Sequence, residues 1–306
     1  MLDIRENVPL AQLTTFKIGG PARYFVEVKT EDELREAIAW AREHGQEFLV
    51  WAGGSNVLVP DEGIDKLVIS ICTQDFHFED NELSADAGCN LIALIRESAL
   101  HGLGGWEKLA GIPGTVGGAV RGNAGAFGPE IKDFVVFVRA MHASSGEKRD
   151  FDNAECDFSY RHSFFKDHPE WILLNATLTL QLMEREEGER LIEETIAERE
   201  KRHIQNVRAA GSFFVNPVAP RSVQQEFERE KGQKAREGRV PAGWLIEKVG
   251  LKGARVGDAV ASEQHPNYIK NDGNATAKDV LTLAKKIKDA VRANFSIDLK
   301  EEAVVL

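Results

Sequence analysis

The densest glycine cluster in this chain is Gly111-Ile112-Pro113-Gly114-Thr115-Val116-Gly117-Gly118, followed at once by Gly122-Asn123-Ala124-Gly125-Ala126-Phe127-Gly128. Glycine loses more backbone freedom on folding than any other residue, so a cluster this dense needs a reason. One reason is that main chain must approach a flat or charged ligand with no Cβ in the way. A second loop, Gly53-Gly54-Ser55-Asn56, follows the apolar run Phe48-Leu49-Val50-Trp51. Two such loops point to a large ligand gripped at two places, a dinucleotide being the obvious candidate. Neither loop is a Rossmann fingerprint: after Gly102-Leu103-Gly104, Glu107 stands where the third glycine should be, and there is no P-loop. Taken alone, 53–56 is equally a strand-to-loop turn or a nest of backbone N–H groups facing a pyrophosphate, with Ser55 and Asn56 adding donors. In the second region Pro113 fixes one dihedral while Gly114, Gly117 and Gly118 leave bare backbone beside it, which suits a planar ring system.

Around these loops the pattern alternates. Strands are expected at 22–28, 48–51, 66–71, 82–87, 134–142 and 171–181 from their β-formers. Helices are expected at 31–44, where Thr30 and Glu33 have capping-box spacing, and at 90–101. That alternation favours an α/β or α+β domain over the first 180 residues. A charge-rich helix at 184–202 reads as a solvated connector, and 224–239 as an exposed helix and loop. Helices at 241–249 and 277–295 and a short apolar strand within 297–306 complete the chain.

The 306 residues are enough for two or three domains. A net charge of −11 argues against a nucleic-acid partner. Cys72, Cys89 and Cys156 lack metal-site spacing and are odd in number, which fits a reducing cytoplasm. Residues 1–7 carry acids and no apolar core, so no signal peptide is read there, and no apolar run is long enough to span a bilayer.

Eight ordered motifs carry a resemblance over nearly the whole chain: 14–22, 52–58, 111–128, Tyr160-Arg161-His162-Ser163-Phe164-Phe165-Lys166, Gly211-Ser212-Phe213-Phe214-Val215-Asn216-Pro217, 241–246, 263–271 and 299–302. With these the chain resembles the UDP-N-acetylenolpyruvoylglucosamine reductase family, in its shorter-loop branch. The resemblance implies an α+β fold: an FAD-binding domain of the vanillyl-alcohol-oxidase type in two α+β subdomains, 1–71 and 72–203. A C-terminal α+β substrate domain, 204–296, and a tail, 297–306, returning to the flavin site would follow. It implies an NADPH-dependent enzyme of peptidoglycan precursor synthesis that reduces the enolpyruvyl group of UDP-N-acetylglucosamine enolpyruvate to give UDP-N-acetylmuramate, with no metal. A monomer or weak oligomer is expected. Gly53, Gly54, Ser55, Asn56 and Val57 would hold the FAD pyrophosphate, and Ile112, Pro113, Gly114, Thr115, Gly117, Gly118, Asn123, Ala124 and Gly125 would line the flavin. Some relatives of this fold attach flavin to a histidine in the first loop; here Ser55 follows the two glycines and no histidine is near, so noncovalent FAD is expected.

Hydride addition to a vinyl ether builds negative charge that spreads into the adjoining carboxylate, and a proton must reach the neighbouring carbon. Arg161 matches the family's arginine, a planar cationic fork for a carboxylate. Ser212 matches the proton donor; out of this context a Gly-Ser serine is a turn residue. Glu302 matches the carboxylate that stabilises or protonates the enol-like intermediate, and its neighbour Glu301 would face the opposite way along a strand. Tyr160, Asn216 and His265 are substrate-site candidates, His265 being equally a hydrogen-bonded structural histidine. Two departures stand out. Val215 occupies a position where the family usually has lysine, and 205–210 lacks the common Gln-Pro. The rival readings are an FAD-dependent oxidase of the same fold and a catalytically inactive nucleotide-sugar binding module.

Overall fold

A computed structural model describes residues 2–202 and 204–306. Met1, first of the N-terminal stretch read above, and His203, last of the expected second subdomain, lie outside the described residues. The chain forms two compact units. The first runs to Val8 and then takes in Ala22–Gly54 and Asp65–Lys201; the second holds Pro9–Pro21, Ser55–Ile64 and Arg202–Leu306.

The first unit contains two larger sheets and a two-stranded pair of Leu103–Gly104 with Gln181–Leu182. A four-stranded sheet runs in the order Arg5–Pro9, Pro21–Val28, Ile64–Ile71, Phe48–Trp51, the last two parallel with Trp51 opposite Ser70. Helix α1 (Glu31–Glu43) starts where Thr30 accepts from the Glu33 amide while the Glu33 carboxylate takes the Lys29 amide, and it buries Leu34, Ala37, Ile38 and Ala41. The parallel pairing delivers Trp51 at one end of this sheet, and Gly53-Gly54 follow there. The other sheet has five antiparallel strands in the order Lys148–Asp152, Val135–His142, Trp171–Thr179, Glu82–Asp86, Phe76–Glu79. Helices α2 (Leu91–Leu100), α3 (Val116–Gly122), α4 (Phe164–Asp167) and α5 (Arg185–Lys201) accompany it. Trp106, Leu109, Val116, Val120, Phe151 and Phe165 are fully or almost fully buried in its core.

Two helical regions differ from expectation. Helix α5 is more than a solvated connector: it packs on α2 and buries Ile192, Thr195 and Arg199, while Arg185–Glu189 and Arg190–Glu194 pairs line its outer face. And the glycine region contains α3, where no helix was expected. Thr115 caps it, and Gly117 is required by close packing, because a Cβ there would lie 2.9 Å from that of Ala87.

In the second unit, three antiparallel strands, Arg255–Val256, Ala259–Ala261 and Ile269–Asn271, combine with α6 (Arg221–Lys231), α7 (Ala242–Lys248) and α8 (Ala277–Phe295). The charged 224–239 stretch is half accounted for: Val223 and Phe227 of α6 are buried, the Phe227 ring lying 5.5 Å from Trp244. Helix α8 buries Val280, Leu283, Ala284, Ile287 and Val291, and a Thr276–Asp279 capping box starts it. Its next two amides, of Ala277 and Lys278, donate to the two carboxylate oxygens of Asp61 at 2.7 and 3.1 Å. Val57–Leu58 pairs in parallel with Val304–Val305 and ties the same segment to the C-terminus. No helix among the described residues is long and apolar enough to cross a membrane.

Candidate functional site

Gly53 of the first glycine loop meets the second loop within the first unit. A Cβ on Gly53 would lie 2.6 Å from Gly114 Cα, so only glycine lets these main chains touch. Among the described residues the amides of Gly53, Gly54, Ser55 and Asn56 find no acceptor, although Gly54 is a buried residue. Successive amides without acceptors are donors of the kind that bind phosphate. The Asn56 side chain is otherwise engaged: its Nδ2 donates to the Glu302 carbonyl at 3.2 Å, and its own carbonyl accepts from Val304. Val57 lies in the strand pair just described.

In the second loop the amides that open α3 are already taken. The Val116 and Gly117 amides are taken by the carbonyls of Cys89 and Ala87 at 3.0 and 2.8 Å, and that of Gly118 by Thr115 Oγ1. Pro113 and Gly118 are exposed, Ile112, Gly114 and Thr115 half-buried. What this face presents is bare backbone, which suits a flat ring better than a phosphate. Asn123 is fully buried in the left-handed conformation at φ 42°, its amide nitrogen donating to the Ser159 carbonyl and to Glu130 Oε2 and its oxygen accepting from the Lys132 amide. Ala124 and Gly125 continue the loop: the Ala124 carbonyl accepts from Ile131, and that of Gly125 from Arg161.

Arg161 stands at the tip of a two-residue turn closed by paired hydrogen bonds between Ser159 and His162. Its φ of 60° is left-handed, a conformation a non-glycine residue keeps only when its surroundings enforce it. They do so here. Lys166 Nζ holds the Arg161 carbonyl at 3.0 Å, Arg161 Nη2 donates to the Gly125 carbonyl at 2.8 Å, Glu130 Oε1 lies 3.6 Å from Nη1, and the Tyr160 ring sits 4.9 Å from the guanidinium carbon. Nearby Arg121 is pushed below the usual guanidinium range by burial, partly countered by Asp167.

In the second unit Ser212 follows Gly211, whose φ of 68° turns the chain, and its side chain is half-buried. The next two residues are knitted in. Asn267, 3% exposed, accepts from the Phe214 amide (3.0 Å) and donates to the Phe214 carbonyl (2.8 Å), and its own carbonyl accepts from the Phe213 amide (2.7 Å). From the other side the Glu302 amide donates to the Phe213 carbonyl at 2.8 Å and Phe214 bridges Glu301. Ser212 and Glu302 are thereby on paired, neighbouring segments. The Glu301 carboxylate is held by Lys288 at 2.8 and 3.2 Å, while Glu302 is half-buried. Asn216 uses its side-chain oxygen on the first amide of α7, that of Ala242, and its carbonyl on Arg239. Val215, also half-buried, donates its amide to Lys300. His265 packs its ring edge-on against Tyr268, 4.8 Å away. Glu130, just past the 111–128 motif, and Asn267, inside the 263–271 motif, escaped the reading from sequence; a buried-type amide beside Pro266 and a carboxylate directly after Pro129 were the available signals.

Comparison with known proteins adds the relatives. Residues 202–306 match the model of the UDP-N-acetylenolpyruvoylglucosamine reductase C-terminal domain, and residues 22–151 that of an FAD binding domain. The chain is 38% identical over 301 residues to the UDP-N-acetylenolpyruvoylglucosamine reductase of Solibacter usitatus, covering 98% of this chain and 96% of the relative. It is 38% identical over 307 residues to that of Carboxydothermus hydrogenoformans, covering 99% and 94%. The crystal structure of UDP-N-acetylenolpyruvylglucosamine reductase from Thermus caldophilus superposes with a TM-score of 0.77 at 33% identity, covering 100% of this chain and 98% of that one.

Proposed function

The chain belongs to the UDP-N-acetylenolpyruvoylglucosamine reductase family, and we infer that it reduces the enolpyruvyl group of UDP-N-acetylglucosamine enolpyruvate to UDP-N-acetylmuramate, with FAD as cofactor and NADPH as hydride donor. Its residues fit FAD. The acceptor-less amides of 53–56 suit a pyrophosphate, and the exposed Pro113 and Gly118 with half-buried Gly114 and Thr115 suit a ring. With no histidine in the 53–56 loop, FAD is held noncovalently. Reduced FAD supplies the hydride that adds to one carbon of the vinyl ether.

The chain's own groups do the rest. Arg161 takes the substrate carboxylate, where its fixed charge stabilises the electron density that arrives with the hydride. Ser212 Oγ–H gives its proton to the adjacent carbon, so the double bond becomes a single bond with one hydride and one proton added. A serine hydroxyl is a weak acid and must be polarised, and Glu302, on the neighbouring segment, is the group for that and for stabilising the enol-like state. Tyr160, Asn216 and His265 complete substrate binding. Val215 removes the cation the family usually presents there, so the chain relies on other cations for that part of the substrate. We place the protein in the cytoplasm as a monomer or weak oligomer with no nucleic-acid partner.

The observation that carries the reading is the pairing of the Ser212 and Glu302 segments through the Phe213 carbonyl. Anaerobic NADPH is expected to bleach the visible flavin band of the purified protein, and the enolpyruvyl nucleotide sugar to restore it. Fast restoration by air with no response to the sugar would mark an oxidase, and a colourless protein that cannot be reconstituted with FAD a binding module.

A further inference from the structure

We propose that Glu130 is a positioning residue for the reaction: its carboxylate fixes the plane and direction of the Arg161 guanidinium. The proposal rests on the reading of Arg161 as the group that binds the substrate carboxylate. Both side chains are largely enclosed, 16% and 21% exposed, so their interaction is weakly screened. Glu130 Oε1 faces Arg161 Nη1 at 3.6 Å while Oε2 accepts from Asn123 Nδ2 at 3.0 Å and lies 3.1 Å from Lys132 Nζ. The other terminal nitrogen, Nη2, is taken by the Gly125 carbonyl. The Gly125 carbonyl fixes one terminal nitrogen by a hydrogen bond and the Glu130 charge attracts the other, and together they bias the orientation of the planar fork.

Glu130 is itself held. Its amide donates to Asp133 at 2.9 Å, Gly125 bridges it, and a Cβ on Gly125 would lie 2.7 Å from Glu130 Cγ, so glycine at 125 is what lets this side chain lie across the loop. The same carboxylate also engages Lys132, and Lys166 holds the Arg161 carbonyl, so Glu130 stands at the centre of a charged cluster around the turn.

Glu130→Gln keeps size and hydrogen bonding and removes the charge. Reoxidation of the reduced holoenzyme by the enolpyruvyl nucleotide sugar is expected to slow about 10–100-fold, a range typical of a partner that orients a functional group, while reduction by NADPH stays within about twofold. Calorimetric titration of the oxidised protein is expected to show weaker binding of the enolpyruvyl sugar and unchanged binding of UDP-N-acetylglucosamine, which has no carboxylate to be oriented against. Glu130→Asp restores the charge and is expected to recover part of the loss. Arg161→Ala/Glu130→Gln should be no slower than Arg161→Ala alone. Equal slowing of both half-reactions, additive losses in the double variant, or unchanged reoxidation in Glu130→Gln would overturn the proposal. If Glu130→Gln does not retain FAD, Glu130→Asp decides by the same split between half-reactions. Should Arg161→Ala itself leave reoxidation intact, the reading of Arg161 fails, and that result is separate from any result at Glu130.

Discussion

The turn bearing Arg161 and the segment bearing Ser212 are built on opposite plans. Arg161 sits in a left-handed conformation at the tip of a two-residue turn and is steadied by side-chain charges and one carbonyl: Glu130, Lys166 and Gly125. Ser212 precedes a stretch whose main-chain groups are taken up on both sides, by Asn267 and by the 300–303 segment. A guanidinium that meets a substrate carboxylate needs direction, and polar ties supply it. A hydroxyl that delivers one proton to one carbon needs position above all, and a sheet-like weave supplies that.

Substitutions test this contrast, the largest effect coming first. Arg161→Ala removes the only proposed cation at the developing charge and should cost about 10²–10³-fold in reoxidation, with Arg161→Lys intermediate because the charge remains while the fork is lost; stopped-flow absorbance reads both. Asn267→Ala leaves the buried Phe214 amide and carbonyl without partners, roughly 2–4 kcal/mol of destabilisation in a denaturant titration. Unlike the Arg161 variants, it should lower stability and activity together. Asp61→Ala strips the two-amide cap from α8 and should cost about 1 kcal/mol, seen as a lower melting temperature, with both half-reactions preserved.

The smallest effect concerns the thiols. Burial, aided by Asp86 and Asp75, pushes the Cys89 thiol up to about 11, and burial, aided by Asp152 and Glu155, pushes Cys156 up to about 12. Both should resist alkylation near pH 8 in the folded protein and react once it is unfolded. The sign of the linkage follows. A folded-state value above the unfolded one means their contribution to stability is complete below the ordinary thiol range and is lost as pH climbs through about 11–12.

Helix α8 was plain in the sequence because its 3.6-residue apolar period and its Thr276–Asp279 cap agree. Helix α3 was hidden because four of its residues or flanks are glycine or turn formers; its amides are satisfied by Ala87 and Cys89, a tertiary arrangement that local propensity does not carry. The strands Arg5–Pro9, Phe76–Glu79 and Lys148–Asp152 were missed for a similar reason: they are largely exposed strands at the margins of their sheets, and their neighbours make them strands. Arg161, Ser212 and Glu302, to which the proposed chemistry is assigned, were picked out through motifs. Glu130 and Asn267 were not, since their meaning lies in contacts made across the chain; Asn267 reaches Phe214 over 53 positions.

The most direct test of the account is Ser212→Ala studied one half-reaction at a time. Under anaerobic conditions NADPH should reduce its flavin at the wild-type rate, and the enolpyruvyl nucleotide sugar should then fail to reoxidise it at a useful rate, a loss of about 10²–10⁴-fold. Equal loss of both steps, or reoxidation at the wild-type rate, would contradict it.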